Sequence, residues 1–333
     1  MARASSRPGI TDVAKLAGVS LSTVSRAMNG NPTVDPALVE RVQAAAAELG
    51  YTANPVARSL VLGRTQTVAV VIPDLENPTF QAVLRGLNRA ASTDGFHVLI
   101  ADSTENLDQE RTLAVATRHR TDGVILCSPR MAQDDLSRIL PTLSPAVVIN
   151  RDPQESAPVV AADYRAGFRD LIDHLTGLGH RRLAYLAGAT RSVTHRARQQ
   201  AIAEATADLA ELEVIEISAG VDVDSGVSAV DAVLSSGATA VLAYNDLVAI
   251  GLLSALEGRG VDVPRDISVT GFDDIPFAGH TTPPLTTVAV PAVELGAHAW
   301  RAMRAQLDGE EAEPLAPLIP ALVVRGSTAP PAA

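Results

Sequence analysis

The side chains with chemistry to offer in this chain stand where apolar runs end. Pro73-Asp74, Asn150-Arg151-Asp152, Tyr244-Asn245-Asp246 and Phe272-Asp273-Asp274 each follow such a run directly. Arginine, carboxylates and amides gathered this way suit ligand hydroxyls or a ligand carboxylate, held by charge-assisted and bidentate hydrogen bonds. General acid–base catalysis fits them poorly. Asp273 and Asp274 are adjacent, and neighbours on a strand point to opposite faces, so they could share a substrate only across a bend. The seven histidines, His97, His119, His174, His180, His195, His280 and His298, have no close metal-ligand spacing, and the chain has no glycine-rich phosphate loop. An enzyme is therefore not expected, nor a metal or a cofactor. The single thiol, Cys127, lies in the apolar run Gly123-Val124-Ile125-Leu126-Cys127. It cannot form an internal disulfide and reads as a small buried hydrophobe.

A second polar set lies near the N-terminus and needs short helices to present it. Ile10 to Gly18 reads as an amphipathic helix, with Val13, Ala14, Leu16 and Ala17 on one side and Gly18 as a C-terminal stop. Ser20 is an N-cap for a second helix, Leu21 to Asn29, in which Val24, Ala27 and Met28 face inward. Leu21, Ser22, Ser25, Arg26 and Asn29 lie opposite. Two short helices joined by a turn of about four residues form a helix-turn-helix, whose second helix offers its N-terminal residues to base edges in the major groove. Asp35 as N-cap, Pro36 at the first helical position and Gly50 as stop mark a third helix that closes a small core.

The string Thr11-Asp12-Val13-Ala14-Lys15-Leu16-Ala17-Gly18-Val19-Ser20-Leu21-Ser22-Thr23-Val24-Ser25-Arg26-Ala27-Met28-Asn29-Gly30 closely resembles the head of LacI/GalR-type (lactose repressor family) transcriptional regulators. The resemblance continues through Leu49-Gly50-Tyr51 and through Asn54 to Leu60, which is similar to that family's hinge helix, about 54–62. It implies that Leu21, Ser22 and Arg26 read bases, and that Ser20, Thr23, Ser25 and Asn29 contact phosphates. Ala57 and Leu60 would act from the hinge helix, Leu60 as a wedge in the minor groove. The chemistry suits these roles: Arg26 can bond guanine bidentately, Ser22 can bond either base type, and Leu21 can touch a thymine methyl. A segment as short as 54–62 is too short to be helical alone, so folding on DNA is expected. An apolar wedge there would kink the duplex. Gly9 stands where the family usually has a threonine cap, a departure that would loosen the first turn.

Beyond Arg64 the pattern changes to β-branched runs alternating with helical stretches. Strands are expected at Val68–Ile72, Phe96–Ala101, Val124–Cys127 and Ala146–Ile149, then at Leu183–Leu186, Val214–Ile217, Ala240–Ala243 and Ile267–Gly271. Helices fall between them, including Thr79–Thr93, Tyr164–Leu178, His195–Leu209, Ser225–Ser235 and Asn245–Leu256. Apolar strands separated by crossovers of about a dozen residues mean a parallel sheet covered on both faces. The rhythm occurs twice, which implies two doubly wound units facing across a cleft, with ligand beyond the carboxyl ends of the strands.

This body too resembles the lactose repressor family, over essentially residues 9–329, most distinctively at Gly271-Phe272-Asp273-Asp274 and Pro283-Pro284-Leu285-Thr286-Thr287. The fold implied is a small all-α helix-turn-helix head plus an α/β body of two doubly wound parallel-sheet subdomains, periplasmic-binding-protein-like. The head with its hinge helix would span 8–64. The effector-binding and dimerisation body would span 65–329, its first subdomain 65–161 and 291–320, its second 162–288 and 321–329. Carried over position by position, the pocket candidates are Asp74, Phe80, Asn150, Arg198, Asn245 and Asp273. Asn150 replaces a usual aspartate, Ala201 a usual glycine, and Val193 and Val221 stand where many relatives place aromatics, so the case for stacking a sugar is weakened.

Composition agrees with two unlike parts. The 333 residues carry 27 Lys+Arg against 38 Asp+Glu, a net charge of −11. Seven basic residues against four acidic ones give residues 1–64 a charge of +3, which leaves −14 on the remainder. Nowhere do apolar residues run to the roughly 18–20 of a membrane helix, and Met1 to Ile10 hold no apolar segment. A cytoplasmic protein is expected, without a membrane partner. A transport-type solute-binding protein would need an export signal and no DNA-binding head. The expected protein is a transcription regulator, most often a repressor in that family, acting as a homodimer on a palindromic DNA operator under control of a small-molecule effector, a sugar or related metabolite. The tail after Arg325 shows no heptad repeat for a tetramerising coiled coil.

Overall fold

A computed structural model of the chain describes residues 8–28, 33–51 and 63–332. Two compact units are present, Met1–Gln66 and Thr67–Ala333. In the first, α1 (Ile10–Ala17), α2 (Leu21–Met28) and α3 (Pro36–Leu49) enclose Val13, Ala14, Ala17, Val24, Ala27, Val42, Ala45 and Ala46. Local chemistry sets the helix ends. Gly18 and Gly50 take left-handed φ of 63° and 62° as C-caps. The Asp35 carboxylate accepts from the Ala37 N–H at 2.8 Å, and Ser20 Oγ accepts from the Thr23 N–H at 3.1 Å. Gly9 has no side chain to cap α1, but the Asp12 carboxylate reaches back to the Gly9 N–H at 2.9 Å and holds the first turn. Leu16 departs from expectation: it is 47% exposed, because α1 turns Val13, Ala14 and Ala17 into the short core instead. Asn29, Ala57, Leu60 and the hinge segment lie outside the described residues.

The second unit contains two parallel sheets. β1 (Thr67–Ile72), α4 (Pro78–Thr93), β2 (His97–Asp102), α5 (Leu107–Arg118), β3 (Gly123–Cys127), α6 (Gln133–Leu143), β4 (Ala146–Ile149) and β5 (Val159–Val160) form the first, in strand order β2-β1-β3-β4-β5. α7 (Tyr164–Gly177), β6 (Arg182–Ala187), α8 (Val193–Asp208), β7 (Glu213–Ser218), α9 (Val223–Ser228), α10 (Val230–Ser236), β8 (Ala240–Leu242), α11 (Asp246–Gly258) and β9 (Ser268–Thr270) form the second, in order β7-β6-β8-β9. The chain then returns through β10 (Thr287–Ala289) to α12 (Ala292–Leu307), which packs on α4, and leaves by β11 (Ala321–Val323), antiparallel to β10. Isolated bridges between Ala162 and Leu318, and between Asp273 and Ala289, tie these crossovers together.

Close helix crossings repeat in the two halves. A side chain at Gly86 in α4 or Gly296 in α12 would strike the other helix's carbonyl, at Val293 and Val83 respectively. Gly226 in α9 and Gly251 in α11 stand in the same relation to the carbonyls of Val248 and Val223. Two expectations need correction. The sheets are not covered on both faces throughout: edge strand β2 leaves Leu99 and Ile100 38% and 45% exposed. The single helix expected over Ser225–Ser235 is broken at Ala229, next to the tight α9–α11 crossing. Cys127 is buried in the core, and burial pushes its thiol up to about 12.

Candidate functional site

Two surfaces have functional geometry, one in each unit. On α2, Ser20, Leu21, Ser22 and Arg26 are exposed and Thr23 and Ser25 are half-buried, on the face away from the buried Val24 and Ala27. Ser20 Oγ gathers the hydroxyls of Ser22 and Thr23, each at 2.9 Å, around the helix N-terminus. Arg26 Nε donates to the Ser22 carbonyl at 3.3 Å, which lays the guanidinium back along the helix toward that end. A helix N-terminus ringed with hydroxyls and one arginine matches the donors that bind phosphate oxygens and guanine edges.

In the body, the ends of the strands converge on a cleft between the two sheets. Asn77, Thr79, Phe80, Glu105, Ser128 and Arg130 line it from the first subdomain. Tyr164, Thr194, Arg198, Val221, Tyr244, Asn245 and Asp273 line it from the second. The cavity between them is small, about 40 Å³, room for a few waters. Thr79 Oγ1 donates to Asp273 Oδ2 at 2.9 Å across the cleft, and Arg196 pairs with Asp152 at 2.6 Å between the same two subdomains.

The expected pocket residues divide by their surroundings. Arg198 is buried, with its guanidinium 4.4 Å from the ring centre of Phe272 and 4.5 Å from that of Tyr244. It donates to the carbonyls of Thr194 and Tyr244, and its Nε has no partner among the described residues. Asp273 takes φ +108°, outside the strand geometry in which it would oppose Asp274. Burial pushes its carboxyl up to about 6, against the pull of Arg198 and the Thr79 hydroxyl. Asp274 turns away to Arg325, at 2.7 Å. Asn245 lines the cleft while its side chain caps α11 through the Val248 N–H and donates to the Val221 carbonyl. Phe80 is a half-buried wall. Asn150 is behind the lining: it donates to Ser128 Oγ and to the Tyr164 hydroxyl and accepts from the Ala162 N–H. Asp74 is not part of the lining; it accepts from the Glu76 N–H in the turn after β1, and burial raises its carboxyl.

Sequence reasoning passed over Thr79, Glu105, Arg130, Tyr164 and Thr194, and it left Tyr244 out of the pocket candidates although that residue stands at the end of an apolar run. Tyr164 and Tyr244 supply aromatic faces although Val193 and Val221 do not. Glu105 and Arg130 follow β2 and β3, so the same rule of polar residues at strand ends would have found them. Next to the lining, Asp246 is fully buried and accepts from Thr287 Oγ1 and the Ile275 N–H. Burial, with Asp273 nearby, raises its carboxyl well above the usual range. Among the described residues no cluster of three or more metal-ligating side chains occurs, and no helix is long and apolar enough to cross a membrane.

A helix-turn-helix unit joined to a doubly wound, two-subdomain body with a polar cleft defines a ligand-binding DNA-binding regulator. Residues 9–54 match the family model for bacterial regulatory proteins of the lacI family, and residues 172–328 match that for a periplasmic binding protein-like domain. The chain is 32% identical over 324 residues, 95% of both chains, to the HTH-type transcriptional repressor CytR of Escherichia coli (strain K12). Its structure is similar to that of the lac repressor dimer bound to operator and the anti-inducer ONPF, with TM-score 0.88, 26% identity and coverage of 97% of this chain and all of that one. It is also similar to a complex of the transcriptional regulator CelR with cellobiose, with TM-score 0.70, 32% identity and coverage of 96% and 100%. The chain belongs to the LacI family of bacterial regulatory proteins. It is a sequence-specific DNA-binding transcriptional regulator with an effector-binding body, and its relatives are named as regulators rather than enzymes.

Proposed function

We propose that the chain works as a homodimeric repressor on a palindromic operator, with residues 8–64 as the operator-binding part and 65–329 as the sensor. Leu21, Ser22 and Arg26 read bases; Ser20, Thr23, Ser25 and Asn29 hold phosphates; Ala57 and Leu60 act at the operator centre. A sugar or related metabolite occupies the cleft against Phe80, Arg198, Asn245 and Asp273, with Asn150 acting through Ser128 and Tyr164. The observation that carries this reading is the Thr79–Asp273 bond, which joins the two subdomains at the point where a ligand would enter. A molecule larger than a few waters must part that bond and change how the subdomains meet. It thereby regulates, provided it binds one arrangement better than the other.

The dimer is supported by apolar side chains that one copy leaves open, including Leu99 and Ile100 on β2, Val223 and Val227 on α9, and Phe277, which is 60% exposed. CelR bound to cellobiose supports a polyhydroxylated effector. Footprinting on the promoter of the protein's own gene neighbourhood, with and without a panel of metabolites, tests the whole reading. The expected result is a protected palindrome whose protection changes with at least one polyhydroxylated compound. Protection without twofold symmetry would refute the paired heads.

A further inference from the structure

The two arginines on the cleft wall are each answered by a carboxylate. On the first-subdomain side, Arg130 and Glu105 meet fork to fork, Nε to Oε2 and Nη2 to Oε1, both at 2.8 Å, while Nη1 donates to the Ser128 carbonyl at 2.8 Å. The pair is held by demanding local structure. Thr104, Glu105 and Ser128 all adopt left-handed φ, between +46° and +54°, which side chains disfavour and which gathers at functional sites. Glu110, buried in α5, accepts the backbone N–H groups of Arg130 and Met131 and fixes the loop behind the pair. On the opposite wall, Arg198 lies between aromatic rings and faces Asp273. No lysine is available, since the chain's one lysine is Lys15 in the head.

A guanidinium has five N–H donors, and three of Arg130's are committed; each Glu105 oxygen takes one bond from Arg130 and keeps a further lone pair. The pair thus offers donors and acceptors side by side with no net charge. We infer that Glu105 and Arg130 form a charge filter in the effector site, bonding hydroxyls of an uncharged ligand and excluding its phosphorylated or carboxylated forms. This rests on the reading of the cleft as the effector site. A hydroxyl donates to Glu105 and accepts from Arg130 without disturbing either. An anion drawn to Arg130 meets the Glu105 carboxylate beside it, and capturing the arginine would strand that carboxylate without a partner in a partly buried place.

Calorimetric titration of the full-length protein tests the filter. E105Q keeps the shape of the pair but uncovers the Arg130 charge; it is expected to bind inorganic phosphate and ribose 5-phosphate at least tenfold more tightly than wild type. E105Q/R130M is expected to return to the wild-type level. R130M alone leaves Glu105 unpaired and is expected to take up protonated glucosamine at least tenfold more tightly than wild type, an arm that decides by itself if E105Q does not fold. The inference is overturned if wild type binds phosphate as tightly as E105Q, or if neither single variant changes its charge preference. Operator binding is followed separately with ribose and cellobiose. Should no neutral sugar alter it while the phosphate and glucosamine arms come out as expected, the filter stands and the effector assignment falls.

Discussion

Arg26 shows how little a single side chain reveals until its neighbours are placed. An arginine on a helix is ordinarily a solvated surface residue, yet its bond to the Ser22 carbonyl aims it at the helix end where base edges would lie. Changing Arg26 to Ala should cost about 1–3 kcal/mol in operator binding and relax specificity at one base pair, as measured on a set of single-base operator variants. An equal loss on every variant would mark it as a phosphate contact. Asp273 makes a different prediction, about pH. Its carboxyl titrates near 6 in the folded body against an ordinary value of 3.8, because it lies deep in the cleft. Between those values the folded chain holds the proton more often than the unfolded chain, so this group's contribution to stability is full below about pH 4 and is lost as pH rises through 6. At about 1.4 kcal/mol per pH unit the loss is up to about 3 kcal/mol, reduced because part of the carboxylate faces the cleft. Asp273→Asn keeps an acceptor for Thr79 and cannot ionise. Urea unfolding from pH 4 to 8 should show its stability rising relative to wild type across that window, and a constant difference would refute the shift. Sequence showed Asp273 as a candidate because it ends an apolar run. It could not show Thr79, 194 positions away, as its partner.

Elements were legible where local chemistry decides them and obscure where packing does. Asp35-Pro36 and Gly50 bound α3 as they stand in the sequence, and Asn77-Pro78 starts α4 because the Asn77 side chain accepts from the Thr79 N–H. The break at Ala229 was not legible, since no residue type there stops a helix; the nearby Gly226 crossing against α11 is a fact of tertiary structure. Exposure of Leu99 and Ile100 was likewise hidden, because an apolar run reads alike at the edge and the centre of a sheet. The helix crossings give a paired prediction with opposite signs. Gly177 ends α7 with open space where a side chain would go, so Gly177→Ala should stabilise the body by about 0.4–1 kcal/mol through reduced unfolded-state entropy. Gly251→Ala gains the same helix propensity but drives a methyl into the Val223 carbonyl, and should destabilise by about 1–3 kcal/mol. Denaturant unfolding of both variants checks this; the same sign for both would show that α9 and α11 can part freely.

For the molecule as a whole, the informative quantity is the division of charge. A net charge of −11 taken alone disfavours DNA, but it is the sum of a +3 head and a −14 remainder, and the remainder holds the sensor. The two binding events of one chain should therefore differ in their response to salt, one steep and one nearly flat. The hydroxyl and amide contacts to phosphate carry no charge, so the salt response comes from the head's basic residues; a net +3 on each head would neutralise about six phosphates in a dimer, and operator affinity should fall by about a thousandfold between ~50 and ~200 mM salt. The cleft's arginines are matched by Glu105 and Asp273, and a neutral ligand carries no charge for ions to screen. Effector affinity should then stay within about a factor of two over the same range. Titrating operator and effector separately in the same salt series distinguishes the cases. A flat operator response would mean that uncharged contacts, rather than the basic residues, hold the heads. A steep effector response would mean that an arginine in the cleft is uncovered when ligand binds, and with it the charge filter would fail.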